Sequence, residues 1–447
     1  MVALLSSVAA VLAAATVVSA APHIDPRHKL HERATIDSKT REVFAHFIVG
    51  IVPAYTQDDW VIDMELAQHY GIDGFALNVG ADSWNHDQLD KAYAAAQRVG
   101  NFSNFLSFDF NWYNESSTKE IAELVKKYAD HPNQLRVDDK PFVSTFVGDG
   151  FNWTHVEELV GHQIYAVPCW RETKENAANP NVEGLMSWAA WPGQANNNTP
   201  VDEPLSGDLD IQYMQDLQAK PYMAPVSPWF STHFGKDVAW SKNWIFKSED
   251  LWTYRWYQML QLGPRYIEIL TWNDYGESHY VGPYNQPHKD DGSSIWASGL
   301  VHTPMLDAAE PFIKAYKRSL PDPVVEEDKL VYWFRPHLKT ASCDATDNCG
   351  AKPTGAEFVE DVVFVTSISK NGAKIVVQSG KDTPFQYEVP KGVHTFKHKM
   401  APGVQQFLIE TDAGKAAGAS NLTVSDQCWD GIYNYNFHSG IVTIPPK

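Results

Sequence analysis

Short runs rich in β-branched and aromatic residues alternate with longer stretches of helical apolar spacing over residues 41–320. Eight runs of the first kind are present, at residues 45–52, 73–80, 105–111, 141–148, 163–170, 184–191, 221–230 and 266–274. The helical spacing lies between them, for example at residues 58–70, 89–99, 118–128 and 249–262. Eight strand–helix alternations over roughly 280 residues have the size and rhythm of a (β/α)8 barrel. We therefore predict an α/β fold, a (β/α)8 TIM barrel over residues 41–322.

The pattern changes after Leu320, at the sequence Pro321-Asp322-Pro323. Beyond it helical spacing is rare, and Gly, Pro, Asp and Asn turns separate a series of strand candidates. These candidates are residues 331–334, 362–368, 374–378, 385–389, 405–409 and 441–444. We predict a C-terminal all-β domain over residues 323–447, a β-sandwich that packs directly on the barrel.

The N-terminal residues have the features of a secretion signal. Residues 1–20 contain a run of small and apolar residues and end in the small-x-small sequence Val18-Ser19-Ala20. The apolar run is too short for a membrane span, and no other segment is a better candidate. Residues 21–40 are polar and basic, which is typical of a propeptide or a flexible arm. We expect an exported protein, secreted to the extracellular space or cell wall, with no membrane partner.

The charge balance also restricts the partners. The chain has 36 Lys and Arg against 55 Asp and Glu, a formal net charge of −19 at pH 7. No Lys/Arg cluster occurs in the body of the chain, which argues against nucleic acid or an anionic membrane as a partner. The acidity suits an exported enzyme with a neutral substrate, and we expect a monomer. Five sequons indicate a glycoprotein, with acceptors at Asn101, Asn114, Asn152, Asn197 and Asn421.

Four cysteines occur, Cys169, Cys343, Cys349 and Cys428. In an oxidising compartment the close pair Cys343 and Cys349 is the disulfide candidate, although sequence alone permits three pairings. No C-x-x-C or H-E-x-x-H motif is present, so no metal site is expected. A G-x-S-x-G elbow, a glycine-rich phosphate loop and a dinucleotide fingerprint are also absent from the sequence. We therefore expect no cofactor, and hydrolysis would rely on carboxylates and water.

Two carboxylates, Asp274 and Glu277, lie three positions apart just after the apolar residues 266–270. An extended run that ends in a polar turn at Gly276 is typical of a strand that delivers side chains to the rim of a barrel. Paired carboxylates among ring-stacking residues are what glycoside cleavage requires. The alternative, which is common for an arbitrary D-x-x-E, is a pair of solvated loop acids. The density of Trp, Asn and Tyr favours a carbohydrate hydrolase with Asp274 and Glu277 as its catalytic pair.

Polar and aromatic residues recur where the predicted strands end, at the rim that faces the site of a barrel. Each one alone has another explanation, because Trp is more often core and a strand-terminal Asp often caps the next helix. His46 is equally compatible with a satisfied core histidine. Their recurrence favours a saccharide groove, since sugar rings are held by apolar stacking and short polar side chains. The candidate substrate-binding residues are His46, Asn78, Asp109, Trp112, Asp149, Trp170, Trp191, Trp229, Trp272, Asn273, Tyr275, His279 and Tyr280.

Several motifs together are specific enough to resemble one known family. They are VFAHFIVG at residues 43–50, Asp58-Asp59-Trp60 with Asp63, GIDGFALN at 71–78, LSFD at 106–109 and TWNDYGESHY at 271–280. Residues 41–447 resemble glycoside hydrolase family 71, the fungal α-1,3-glucanases or mutanases. One departure is the sequence Ile51-Val52-Pro53-Ala54, where a polar, Asn-rich continuation would be expected.

The resemblance implies a (β/α)8 catalytic barrel with an accessory β-sandwich, secretion, and hydrolysis of α-1,3-glucosidic bonds in fungal wall glucan or bacterial mutan. It also implies inversion at the anomeric carbon, with Asp274 and Glu277 as the acid pair. The alternatives are a non-catalytic protein that binds cell-wall glucan and a hydrolase of another neutral glucan.

The spacing of the pair bears on the mechanism. Three residues of extended chain reach up to about 10 Å, which accommodates the ~6.5–9.5 Å carboxyl separation of inverting enzymes. A turn at Gly276 would shorten that reach and leave a retaining geometry open. The longer side chain favours Glu277 as the acid and Asp274 as the base, and the reverse assignment stays open.

Overall fold

The computed structural model describes residues 40–195, 197–284 and 287–445. The predicted signal peptide lies outside these residues, and so does the predicted arm except for residue 40. Within the described residues, no helix combines the length and the apolar character that crossing a membrane requires.

Eleven strands precede the C-terminal module. They are β1 (Glu42–Ile48), β2 (Gly74–Val79), β3 (Ser103–Asp109), β4 (Arg136–Val137), β5 (Lys140–Phe146), β6 (Tyr165–Ala166), β7 (Leu185–Met186), β8 (Tyr222–Val226), β9 (Phe230–Phe234), β10 (Lys242–Phe246) and β11 (Tyr266–Ile269). The helices are α1 (Gln57–His69), α2 (Asn85–Val99), α3 (Thr118–Tyr128), α4 (Trp153–Val160), α5 (Lys174–Ala178), α6 (Asp208–Leu217), α7 (Leu251–Leu262), α8 (Ser294–Ala297) and α9 (Pro304–Lys317).

Eight of these strands form one curled parallel sheet, and each falls within or overlaps one of the eight predicted runs. The parallel pairing is β6-β5-β3-β2-β1-β11-β8-β7, and β4 adds to β5 in antiparallel orientation. No ladder joins β6 to β7 in the described chain, although Met186 N donates to Pro168 O at 2.9 Å and Glu183 N donates to Ala166 O at 2.9 Å. The fold is therefore a mixed α/β architecture with a curled sheet, and full closure into a TIM barrel stays a prediction.

Alternating positions along the strands point to two cores. Phe44, Ala76 and Phe105 belong to a cluster enclosed by the curled sheet, whereas their neighbours Ala45 and Phe75 pack toward the helices. A parallel sheet covered on both faces buries nearly every side chain, which explains the continuous apolar character of these strands. This construction brings the carboxyl ends of the strands to one rim.

The C-terminal module contains eight strands in two antiparallel sheets. They are β12 (Lys329–Phe334), β13 (Val362–Ser369), β14 (Ala373–Ser379), β15 (Phe385–Val389), β16 (Gly392–Lys399), β17 (Gly403–Thr411), β18 (Gly414–Val424) and β19 (His438–Thr443). The strand orders are β16-β13-β12-β19 and β15-β14-β17-β18. Inward side chains such as Tyr332, Ile375 and Phe407 share one core. The boundary predicted at residues 322 and 323 falls between the end of α9 and the start of β12.

Buried contacts join this module to the curled sheet. Arg335 donates to both carboxylate oxygens of Glu249, at 2.9 and 3.2 Å, and both side chains are almost fully buried. Trp333 Nε1 donates to the backbone oxygen of Glu249 at 3.0 Å. The ring of Phe437 lies 4.8 Å from that of Trp229. The two modules therefore pack against each other directly.

The disulfide prediction is wrong. Cys343 is bonded to Cys428, 85 positions away in the sequence, with their Cα atoms 5.1 Å apart. Cys349 is a free thiol whose Sγ instead approaches the backbone oxygen of His233, at 3.5 Å. A disulfide requires particular positions of Cα and Cβ atoms, and closeness in sequence does not provide them. Cys169 is also a free thiol.

Candidate active site

Residues 271–281 form a loop that leaves β11 and folds back on itself. Thr271 N donates to His279 O, and Val281 N donates to Thr271 O, both at 2.9 Å. Ser278 adopts a left-handed backbone with φ of 64°. The segment between Asp274 and Glu277 is thus a turn, not the extended chain on which the separation of the two carboxylates was predicted.

The turn brings the two acids together with a histidine. Glu277 N donates to Asp274 Oδ1 at 2.9 Å, and His279 Nε2 donates to Glu277 Oε2 at 3.0 Å. Suitable oxygen and nitrogen atoms of Asp274, Glu277 and His279 all lie within 4.8 Å of one another. The Lys242 ammonium donates to Glu277 Oε1, so the carboxylate has a cationic partner on one side and the imidazole on the other.

The pKa values of Asp274 and Glu277 shift in opposite directions because the two carboxyl groups have different partners. Burial raises the pKa of Asp274, and the negative charge of Glu277 raises it further against the opposing effect of His279 and Lys242. Burial also acts to raise the pKa of Glu277, but the charges and hydrogen bonds of Lys242 and His279 outweigh it and hold that pKa well below its usual range. A carboxyl with a raised pKa beside one with a lowered pKa is the arrangement that an acid–base pair needs.

A groove runs from Asp274 across the carboxyl ends of β1, β2 and β3. Two cavities of about 210 and 370 Å³ form it. They are continuous because they share the lining residues Ile48, Ile51, Trp240, Lys289 and Asp291.

Five predicted site residues line this groove: Asn78, Asp109, Trp112, Asp274 and Tyr275. Trp112 is 64 % exposed, so its ring is available to a ligand. Burial raises the pKa of Asp109, whose Oδ1 accepts a hydrogen bond from Asn111 N at 2.9 Å. Whether these residues bind substrate stays a prediction.

Five aromatic candidates lie in the core behind the groove, each at most 1 % exposed: Trp170, Trp191, Trp229, Trp272 and Tyr280. Trp229 Nε1 donates to Ser278 O at 2.6 Å, Trp191 packs 4.9 Å from the His279 ring, and Tyr280 stacks on His302 at 3.7 Å. The predicted contact of these rings with sugar is not available in this structure. Trp191 and Trp229 pack instead on the loop that carries the acids, and Tyr280 belongs to that loop.

Asp149 is also away from the groove. Its carboxylate accepts hydrogen bonds from Arg171 N, at 3.1 Å, and from Arg171 Nε. A strand-terminal Asp commonly fixes a local backbone turn in this way. The structure therefore gives Asp149 a local structural contact in place of the predicted contact with substrate.

The remaining candidates support the catalytic loop from below. Asn273 is fully buried and makes two hydrogen bonds to the backbone of Ile48, accepting at 2.8 Å and donating at 3.1 Å. His46 pairs through Nδ1 with Glu268 Oε1 at 2.7 Å inside the curled sheet. His46 thereby links β1 to β11, and Asn273 links the loop after β11 to the end of β1.

Sequence reasoning missed the hairpin of β9 and β10, which supplies Lys242 and Trp240 to the site. The antiparallel pairing joins Phe234 to Lys242 and His233 to Asn243. The missed signal is the short run Trp244-Ile245-Phe246, whose aromatic and β-branched residues are typical of a strand. Lys289 and Asp291 were missed as well, because irregular loop residues carry no periodic pattern.

Two side-chain clusters among the described residues have the composition of cation sites: Asp274 with Glu277 and His279, and His233 with Asp347 and Cys349. In the first, the Lys242 ammonium already contacts Glu277, which opposes a second cation. In the second, Asp347 accepts from His233 and from backbone N–H groups, so its oxygens are already engaged.

A carboxylate pair at the rim of a curled parallel sheet, beside a groove with an exposed tryptophan, has the features that the site of a glycoside hydrolase requires. The chain belongs to glycosyl hydrolase family 71, whose family model matches residues 39–445.

Relatives support the same class. A mutanase of Penicillium rubens is 43 % identical over 415 residues, covering 92 % of this chain and 91 % of the relative. A glucan endo-1,3-alpha-glucosidase of Schizosaccharomyces pombe is 37 % identical, covering 90 % and 94 %. An ascus wall endo-1,3-alpha-glucanase of the same yeast is 29 % identical, covering 89 % and 96 %.

Proposed function

We propose that this glycoside hydrolase cleaves α-1,3-glucosidic bonds of α-1,3-glucan, with Asp274 and Glu277 as the catalytic residues. The observation that carries the proposal is the acid pair with opposite pKa shifts, of which Asp274 lines one end of the groove. The names of the relatives support the choice of bond.

We assign the general acid to Asp274 and the base to Glu277, which reverses the assignment that side-chain length favoured. The raised pKa of Asp274 keeps a proton available for the leaving oxygen, and Asp274 lines the groove. The lowered pKa of Glu277 keeps it ionised and able to accept a proton from water. Side-chain length is the weaker argument, because the neighbouring charges decide which carboxyl is protonated.

Inversion at the anomeric carbon remains part of the proposal, and its support is the resemblance of this chain to family 71. The spacing of the two acids does not support inversion, since the turn brings their oxygens within 4.8 Å of each other. That separation is shorter than the ~6.5–9.5 Å of inverting enzymes. Proton NMR in the first minutes of hydrolysis should show the β-anomer. An initial α-anomer would mean double displacement, with one carboxylate acting as a nucleophile.

Substrate binding is assigned to the groove. Trp112 offers an exposed ring, and Asn78 and Asp109 offer short polar side chains on the same wall. A saccharide needs this combination of stacking and hydrogen bonding. The closed (β/α)8 barrel is the finer fold that we propose around the groove, supported by the backbone hydrogen bonds that cross from β6 to β7.

We further propose that the protein is secreted, as a monomer, and acts in the extracellular space or the cell wall. The signal-like first 20 residues and the ascus wall relative support this location. Four of the five sequon asparagines among the described residues are exposed and Asn152 is half-buried. Secretion and glycosylation are tested together by recovering the protein from the culture medium and treating it with a deglycosylating enzyme, which should increase its mobility on a gel.

The substrate is tested by incubating the protein with α-1,3-glucan, β-1,3-glucan, dextran and starch, followed by a reducing-sugar assay. We expect release from α-1,3-glucan alone. Release from another glucan would overturn the choice of bond, and binding to α-1,3-glucan without release would indicate a non-catalytic wall-binding protein.

A further inference from the structure

The hairpin of β9 and β10 is held at two places by different modules. At its base, Ser231 N donates to Glu277 O at 3.1 Å, and Phe230 packs against Trp191 at 5.0 Å. These contacts belong to the curled sheet and its catalytic loop. Lys242 lies at the other end of the hairpin, opposite Phe234.

That outer end is fastened to the C-terminal module. His233 lies across the hairpin from Asn243, and its ring contacts Asn243 Oδ1 through Nδ1 and Asp347 Oδ2 through Nε2, both at 2.7 Å. Backbone hydrogen bonds continue this contact toward the base of the hairpin, since Thr354 N donates to Asn243 O at 3.2 Å and Ile245 N donates to Thr354 O at 2.8 Å. A segment of the C-terminal module therefore lies alongside β10, next to the residue that carries the ammonium group.

Asp347 is itself rigidly held. Its Oδ1 accepts from Cys349 N at 2.7 Å and from Gly350 N at 3.1 Å, and its Oδ2 accepts from Tyr433 N at 2.7 Å. Its side chain is fully buried. The Cys343–Cys428 disulfide joins the two segments that make these contacts, because Cys343 lies shortly before Asp347 and Cys428 shortly before Tyr433. A carboxylate with this many fixed partners positions whatever it binds, in the same way that outer partners orient the ligands of a metal.

We propose that the C-terminal module is a working part of the active site, in which Asp347, through His233, keeps the hairpin placed so that Lys242 meets Glu277. The inference rests on the proposed function of Asp274 and Glu277. Lys242 and Asp347 are positioning residues, because they act through Glu277. The depressed pKa of Glu277 is consistent with the contact.

The effect has a defined direction. Without Lys242, Glu277 loses a positive neighbour and keeps its burial, so its pKa rises. Activity that needs an ionised Glu277 is then lost at a higher pH, and the acidic limb of the kcat/KM profile moves upward. An opposite charge at this range shifts a carboxyl pKa by about 1–3 units. Loosening the hairpin should produce a smaller shift of the same sign.

The experiment compares pH profiles of the full chain on α-1,3-glucan. Lys242→Met should move the acidic limb upward by about 1–3 pH units, whereas Lys242→Arg, which keeps the charge, should stay near the unmodified protein. Asp347→Ala and His233→Phe each remove one partner of the contact between Asp347 and His233. Each should move the limb upward by at least roughly half a unit and lower kcat more than it changes KM.

Asp328→Ala is the matched control. Asp328 and Asp347 have the same whole-residue exposure, 9 %, main chain included, and both lie in the C-terminal module. It accepts from Lys370 N at 2.8 Å and from Thr411 Oγ1 at 2.7 Å, both far in sequence from the hairpin. Its loss should lower the melting temperature without moving the acidic limb. The double variant Lys242→Met with Asp347→Ala should have the limb of Lys242→Met alone, because both act through one contact.

An unshifted limb in Lys242→Met would overturn the inference, and so would an Asp328→Ala shift equal to that of Asp347→Ala. If Lys242→Met shifts the limb while Asp347→Ala and His233→Phe do not, the C-terminal module has no such role. Failure of the proposed function is separate, because Asp274→Asn or Glu277→Gln would then retain near-normal hydrolysis whatever the profiles show.

Discussion

The aromatic side chains at the strand ends fall into two layers that the sequence does not separate. Trp112 and Trp240, 64 % and 52 % exposed, line the groove, whereas Trp191 and Trp229 are buried behind the loop of residues 271–281. The same residue type contacts solvent in one layer and the acid-bearing loop in the other, where Trp191 packs on the His279 ring and Trp229 donates to Ser278 O. An aromatic residue at a barrel rim can thus serve a site by touching substrate or by fixing the residues that do.

The largest expected effect comes from the acids between the two layers. Asp274→Asn and Glu277→Gln should each lower kcat by about 10²–10⁴-fold, because an isosteric amide keeps the packing but transfers no proton. A reducing-sugar assay on insoluble α-1,3-glucan measures the loss. Circular dichroism and glucan co-sedimentation should match the unmodified protein, and near-normal turnover by either variant would remove the catalytic assignment.

Truncation in the buried layer should affect stability first. Trp229→Ala removes a fully buried ring that packs on Phe437 and donates to Ser278 O. We expect a decrease of about 3–5 kcal/mol in the free energy of unfolding, the range for large aromatic side chains in cores. Urea unfolding measures it. Unchanged stability with a raised KM would break the comparison, because Trp229 would then behave as a groove residue.

The pH dependence of activity tests whether the exposed aromatic layer affects the pKa values of Asp274 and Glu277. Activity needs Glu277 ionised and Asp274 protonated, so it falls as pH drops below the lowered pKa of Glu277 and as pH rises above the raised pKa of Asp274. We expect a bell shape whose acidic limb lies below ~4.3 and whose alkaline limb lies above ~3.9, the ordinary Glu and Asp values, with about tenfold loss per unit outside them. Trp112→Ala should leave both limbs in place.

Truncation in the open layer should affect binding. Trp112→Ala should raise KM about fivefold, equivalent to about 1 kcal/mol for a lost ring contact. Its free energy of unfolding should stay within about 0.5 kcal/mol of the unmodified value, because the ring is exposed. Initial rates on soluble α-1,3-linked oligosaccharides give KM. An unfolding loss with unchanged KM would place Trp112 among the packing residues.

The smallest effect is expected at Asp149. Asp149→Asn keeps an acceptor for Arg171 N and lies outside both layers, so kcat and KM should change less than about twofold. The same oligosaccharide assay measures this. A tenfold change in either constant would show that the sequence-based assignment of Asp149 to the substrate site was right.

The sequence alone determined much of this protein. Short apolar runs that alternate with stretches of helical spacing predicted the eight strands that the structure shows in the parallel sheet. These runs are recognisable because a strand buried on both faces is apolar almost throughout. Asp274 and Glu277 were recognisable because glycoside cleavage needs two carboxylates close in space, and here they are also close in sequence. The sequence pattern after Leu320 likewise predicted an all-β module, although its strand candidates omitted β16 and β18.

Only the tertiary structure decided how these parts meet. Cys343 pairs with Cys428 because the folding of the C-terminal module, not closeness in sequence, sets the distance between thiols. Lys242 reaches Glu277 from a separate hairpin, and that contact lowers the pKa of Glu277, which is why we propose Asp274 as the acid. Trp112 is open while Trp229 is buried because orientation at a strand end depends on what packs over it. Local pattern fixes which residues are present at a rim, and long-range packing fixes which way they face.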